Sequence, residues 1–182
     1  MTKKTVLAAQ ERAARMLGAA GIAITTAERK RIEIVDFELG DFERIGLALV
    51  VYVNTKRCCA KELVLFPRQI CPEHLHPAIG DYPGKEETFR CRWGEVIICV
   101  PGDVPRRPRT RLPPGTEDTV TVRHEVLLKP GDQYTLRERT KHWFQAGPRG
   151  AIVSEFSTRS FDKHDIFTDP VIVRTSNVDG IG

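Results

Sequence analysis

From Ile32 onward the apolar side chains recur with a period of two, in short runs at 32–37, 47–53, 63–66, 88–100, 120–128, 133–136 and 151–156, each bounded by Gly, Pro, Asn or Asp. That period puts alternate side chains on opposite faces of an extended strand. No helical period intervenes between the runs, so crossover helices cannot join them into a parallel sheet. The pattern predicts an antiparallel sandwich or barrel. The Pro-rich stretch 101–114 reads as a long loop within that barrel and not as a boundary.

Ahead of the strands, residues 5–20 are rich in Ala, Leu, Glu and Arg and place Val6, Leu7, Met16 and Leu17 at helical spacing. One amino-terminal helix follows from this. A second short helix begins at Thr25 or Thr26, whose hydroxyl can cap it, carries Glu28 in its first turn and ends near Arg31. A chain of 182 residues has the length of one ordinary domain. We therefore expect 1–182 to be a single domain, with 1–31 a helical extension and 32–182 the β-barrel.

The charge balance excludes some partners. Lys and Arg total 28 against 24 Asp and Glu, for a net charge of +4, too little for an electrostatic nucleic-acid binder of this size. The densest basic cluster, Arg106, Arg107, Arg109 and Arg111, has no interleaved aromatic side chain for base stacking and reads as a solvated loop. No apolar run approaches the ~20 residues of a membrane span, and Met1-Thr2-Lys3-Lys4 leads into no signal-type apolar segment. The expectation is a cytoplasmic protein. Five cysteines without a C-x-x-C pair suggest neither a disulfide framework nor a zinc ribbon, and Cys91 and Cys99 read as core residues.

Histidine is scarce, and two of the five, His74 and His76, stand two apart in Cys71-Pro72-Glu73-His74-Leu75-His76-Pro77. In an extended strand both imidazoles reach the same side, as a shared metal ion requires. In the following run Glu87, Phe89, Cys91 and Trp93 share one face, opposite Thr88, Arg90 and Arg92. A carboxylate thus lies on the apolar face, and ligating a cation is one of the few ways to offset that burial. Lys85 has the same parity. His142, in Thr140-Lys141-His142-Trp143-Phe144, is a further candidate ligand. Three imidazoles and one carboxylate suit Mn, Fe, Co, Ni or Zn, and an octahedral ion so held keeps two positions for substrate oxygens.

His74, His76, Glu87 and Gly94 resemble the first motif of the cupin superfamily, G-x5-H-x-H-x3,4-E-x6-G, with Arg68 at the leading glycine. Of the second motif, G-x5-P-x-G-x2-H-x3-N, Gly131 and His142 remain, while Arg137, Arg139 and Ala146 replace Pro, Gly and Asn. A closer resemblance runs along nearly the whole chain. It rests on Tyr52-Val53-Asn54-Thr55, 61–67, Cys71-Pro72-Glu73-His74, 87–92, 141–147 and 162–170, strings similar to those of the D-lyxose ketol-isomerase family of cupins. That resemblance implies a jelly-roll barrel and a homodimer. It also implies a manganese-dependent isomerase converting D-lyxose to D-xylulose and often D-mannose to D-fructose.

Such a reaction needs a base for the C2 proton. Glu155 is the first candidate, because it shares an apolar face with Ala151 and Val153; Lys85 and Asp165 are the others. Lys85 would otherwise donate to a sugar oxygen or offset charge. Glu155 also reads as a buried partner of an arginine, and Asp165 as a turn cap. His124 shares parity with Val120, Val122, Val126 and Leu128 and so points inward, to line the sugar pocket or to sit satisfied in the core. Phe144, with the parity of His142, packs beside the metal and the substrate. A phosphosugar isomerase, an iron(II) cupin dioxygenase and a non-catalytic sugar-binding cupin are the competing readings.

Overall fold

The computed structural model describes residues 1–175. Helix α1 (Lys3–Ala19) starts at Thr2, whose hydroxyl accepts from the Thr5 amide at 3.2 Å. Its buried stripe is Val6, Ala9, Gln10, Ala13 and Leu17. Leu7 lies outside that stripe and is exposed, because each residue turns the helix by about 100°. Helix α2 (Thr26–Lys30) opens with a capping box, Thr25 Oγ1 accepting from the Glu28 amide and Glu28 Oε2 from the Thr25 amide. Among the described residues no helix is long and apolar enough to cross a membrane.

The strands are β1 (Glu33–Val35), β2 (Leu47–Asn54), β3 (Cys59–Leu65), β4 (Ile70–Leu75), β5 (Glu87–Val100), β6 (His124–Leu128), β7 (Gln133–Leu136), β8 (His142–Ser157) and β9 (Ile166–Phe167). The two long strands, β5 and β8, run antiparallel from Glu87 opposite Ser157 to Cys99 opposite Trp143. The outer ends of this pair, 87–94 and 151–157, join β1, β2, β3 and β7; the other halves join β4, β9 and β6. Each long strand thus serves two layers and closes the sheet on itself. The bend falls at bulges between Cys91 and Trp93 and between Gly94 and Val96. Gly94 has φ +71°, and a Cβ there would lie 2.1 Å from the Gly150 carbonyl oxygen, so no larger residue fits.

One core fills the interior, with Leu63, Leu65, Phe89, Cys91, Phe144 and Val153 among its members. A second lies outside the sheet, where Val6, Ala13 and Leu17 of α1 cover Ile34, Val50, Val64 and Ile152. Trp93 packs with this outer group, a correction to its expected place beside Glu87. The bulge at Arg92 inserts one residue and reverses parity beyond it.

Three elements differ from the period-two reading. Strand β4 is covered on both faces, so its apolar and polar residues do not alternate. Strand β8 is continuous across Gly147 and Pro148, and joins what read as two segments. Strand β6 begins only at His124, because Glu73 holds 121–122 as a loop, its carboxylate accepting from the amides of Thr121 at 2.6 Å and Val122 at 2.9 Å.

The turns of the two cupin motifs keep their backbone without their glycines. Arg68 (φ 62°) and Arg139 (φ 58°) both adopt the left-handed conformation that the motif glycines would supply. Replacing Arg68 with Gly is therefore expected to leave urea-unfolding stability unchanged or raised, while Arg68→Val should lower it by about 1–2 kcal/mol.

Candidate metal centre

The pairing of β4 with β8 sets His74 directly opposite His142, and His76 follows one residue after the end of β4. Glu87 opens β5, whose register with β8 turns it inward from the neighbouring layer. All four side chains are buried. One nitrogen from each histidine lies within 4.8 Å of the others, a grouping able to hold a metal ion. Glu87 Oε1 stands 3.1 Å from His76 Nε2 and 3.2 Å from His142 Nε2.

The three imidazoles are oriented from behind. His74 Nδ1 lies 2.8 Å from the Pro72 carbonyl oxygen, His142 Nδ1 2.9 Å from that of Thr140, and His76 Nδ1 2.6 Å from Asp165 Oδ1. Those oxygens accept, so each Nδ1 carries a proton; Nε2 of His74 and of His142 is then left with its lone pair, while His76 Nε2 shares a hydrogen bond with Glu87 Oε1. Among the described residues His142 Nε2 is buried with no hydrogen-bond partner. A buried polar nitrogen left so is costly. A cation held by the three imidazoles and one carboxylate, taking the place of the proton on His76 Nε2, would satisfy it, so the residues fit a divalent first-row metal.

Beside this cluster lies a chain of buried ion pairs. Lys85 Nζ sits 2.8 Å from Glu87 Oε2 and 3.0 Å from Glu155 Oε1, joining the Glu87 carboxylate beside the histidines to the carboxylate on β8. Ser157 Oγ also donates to Glu155 Oε1, at 3.1 Å. Lys61, directly across from Glu155 in the register of β3 with β8, is 2% exposed and binds Asp162 and Ser160. Arg174 reaches Glu33 at 2.7 Å and Asp162 at 3.8 Å.

These neighbours set the ionisation. Burial opposes charge on Glu87, but Lys85 and then His76 outweigh it and hold the carboxyl well below its usual range. Burial likewise opposes the Lys85 ammonium, and Glu155 and Glu87 reverse that, raising it well above the ordinary lysine value. Desolvation, then His142 and His76, press His74 well down, which keeps it neutral. His76 is held up at about 9: burial and Lys85 lower it, and Glu87 and Asp165 overcome them.

The residues singled out in the sequence thus gather in one place, with one exception. His74, His76, Glu87, Lys85, Phe144, Glu155 and Asp165 line a common cavity, and His142 adjoins it. His124 does not: it is exposed, its Nδ1 3.0 Å from the Asp103 carbonyl oxygen, on the outside of the barrel. Parity counted through 120–123 failed because those residues are a loop. Glu155 is also not alone on an apolar face, since Lys61 lies beside it. Lys61 was legible in principle, as the charged residue sharing the inward parity of Leu63 and Leu65. Ser160, Asp162, Phe167 and Arg174 reach the site from outside the long strands, where parity gives no signal.

The closed antiparallel sheet is the fold of the cupin-type sugar isomerases. The L-ribose isomerase of Cellulomonas parahominis, solved with no ligand, matches with a TM-score of 0.79 at 16% identity, covering 97% of this chain and 96% of that one. The L-ribose isomerase of Acinetobacter sp. DL28, solved in complex with L-ribose, matches at 0.78 and 16% over 94% of each chain. No family profile matches. In sequence the chain is 57% identical over 178 residues to the D-lyxose ketol-isomerase of Thermofilum sp. (strain ex4484_79), covering 98% of this chain and 99% of that one. It is 54% identical over 179 residues to the D-lyxose/D-mannose isomerase of Thermosediminibacter oceani, with the same coverage of 98% and 99%. The chain belongs to the D-lyxose ketol-isomerase family, and its activity is aldose–ketose isomerisation.

If Asp165 fixes the tautomer of His76, Asp165→Asn should weaken Mn2+ binding by roughly 10- to 100-fold with little change in melting temperature. His142→Ala should abolish stoichiometric binding. Both are read by chelator competition.

Proposed function

We propose that the protein interconverts D-lyxose with D-xylulose, and D-mannose with D-fructose, in a reaction dependent on a divalent metal, Mn2+ by the family resemblance. One observation carries this reading: the candidate ligand set and Glu155 border one buried cavity and are joined by the single ammonium of Lys85. The chemistry requires removal of the C2 proton of the open-chain aldose and its return to C1, with the hydroxyl proton of O2 exchanged for one on O1.

Glu155, tethered at Oε1 by Lys85 and Ser157, takes the C2 proton on its other oxygen and delivers it to C1 of the enediol. Lys85 keeps positive charge beside the oxygens on which negative charge develops. Asp165 is assigned to orienting His76 and not to proton abstraction, since its Oδ1 is engaged there. Phe89, Phe144 and Phe167 keep the cavity poor in water, which strengthens each of these interactions. His74, His76, His142 and Glu87 would hold the cation, which supplies a Lewis acid for the two sugar oxygens. The family resemblance adds a homodimer, for which light scattering should return twice the 20.5 kDa chain mass.

The test is ketose formation by chelator-stripped protein resupplied with Mn2+ under nitrogen and offered D-lyxose, D-mannose and a hexose 6-phosphate. Metal-dependent D-xylulose formation without oxygen is expected, and Glu155→Gln should lower kcat by about 10²- to 10⁴-fold while still binding Mn2+. Faster turnover of the phosphosugar would change the substrate class. No ketose from any of the three would overturn the reading.

A further inference from the structure

We infer that Lys61 is a positioning residue for Glu155, a cation fixed in the cavity wall that holds this carboxylate in place through the catalytic cycle. The inference rests on the reading of Glu155 as the group that moves the proton.

Lys61 lies on β3 directly across from Glu155 on β8, and both side chains are buried. An ammonium has three hydrogens. Those of Lys61 Nζ are directed to Ser160 Oγ at 3.0 Å and to the two oxygens of Asp162 at 2.9 and 2.8 Å. Its distance to Glu155 Oε1 is 4.0 Å, near enough for strong Coulombic attraction in an interior and too far for a hydrogen bond. Lys85 differs, since it touches Glu155 at 3.0 Å as well as Glu87 at 2.8 Å.

Both lysines thus have a second carboxylate, Asp162 for Lys61 and Glu87 for Lys85. A base that becomes neutral on taking a proton would otherwise strand its counter-ion in an apolar interior, at considerable cost. Here neither ammonium loses all compensation when Glu155 is protonated. Lys61 consequently stays in one position in both states of Glu155, and its charge draws Oε1 toward the wall. The opposite oxygen is then left to face the sugar. Asp162 is itself held, by Ser160 Oγ and by Arg174 Nη2 at 3.8 Å, so the anchor does not depend on the substrate.

A residue that only fastened the segment after β8 would affect stability and leave turnover alone. The distinguishing experiment uses the full-length, Mn2+-loaded chain with D-lyxose carrying protium or deuterium at C2. Lys61→Met is expected to lower kcat by about 10²-fold, from a displaced base, with KM within about threefold. Bound Mn2+ should stay at the parent stoichiometry, and the C2 isotope effect on kcat should rise as proton transfer comes to limit the rate. Because Lys61→Met takes from Asp162 its nearest counter-ion, the double variant Lys61→Met/Asp162→Leu, in which that charge is removed as well, is measured beside it and should show the same loss of kcat. A kcat within about threefold of the parent in either folded variant overturns the inference, as does a loss carried wholly by KM or by metal occupancy. Glu155→Gln separates the two levels: if it keeps near-parental kcat, the reading of Glu155 falls; if it is inactive while Lys61→Met is fully active, only the inference about Lys61 falls.

Discussion

The antiparallel pairing of β5 with β8 is the constraint on which the remainder of the molecule depends. Its register decides which side chains enter the interior, and a slip of one residue would turn every one of them to the other face. In the observed register Glu87, Phe89 and Cys91 face inward from β5, while Val153 and Glu155 do so from β8. The same β8 carries His142 to a position opposite His74 on β4. The candidate metal ligands and the proposed proton-transfer group therefore share one backbone scaffold. Their separation is fixed by strand geometry, which a flexible loop could not guarantee.

Within that frame the cavity is governed by charge. Glu87, Glu155, Asp162 and Asp165 face Lys61, Lys85 and Arg174 in a space whose remaining lining is Leu, Phe and Cys71 together with His74 and His76. Isolated ions there would be prohibitively costly, and each is compensated at close range. Asp162 is held far below the usual carboxyl range by Lys61, Lys85 and Arg174, which overcome its burial. An interior arranged in this manner presents fixed charges to a reacting sugar and needs little reorganisation as electron density moves.

Much of this was legible in the sequence, for identifiable reasons. Alternation revealed β7 and the first half of β5, where one face meets the core and the other water, while β2 showed as a continuous apolar run because its first half is buried on both faces. The clustering of His74, His76, Glu87 and His142 was legible because H-x-H, Glu87 and His142 sit at parities that strands enforce. What escaped had physical causes too. Strand β4 is buried on both faces and shows no alternation. His124 and Trp93 were misplaced because a loop held by Glu73 and a bulge at Arg92 reset the count. Asp162, Phe167 and Arg174 approach from irregular backbone, and no local periodicity reports tertiary approach. The arginines at 68 and 139 concealed turns whose conformation glycine ordinarily announces.

Strand β8 pairs with β3, β4 and β5, yet it is nearly the last strand in chain order. As the chain is made, β3, β4 and β5 must wait for it with their central partner missing, and His142 and Glu155 come only with it. The barrel can close only once β8 has been made, through contacts between distant parts of the chain, which is a slow route. During that interval His74, His76 and Glu87 are present without the residues that complete their site, and the open edges of β3 and β5 are exposed to pairing with other chains.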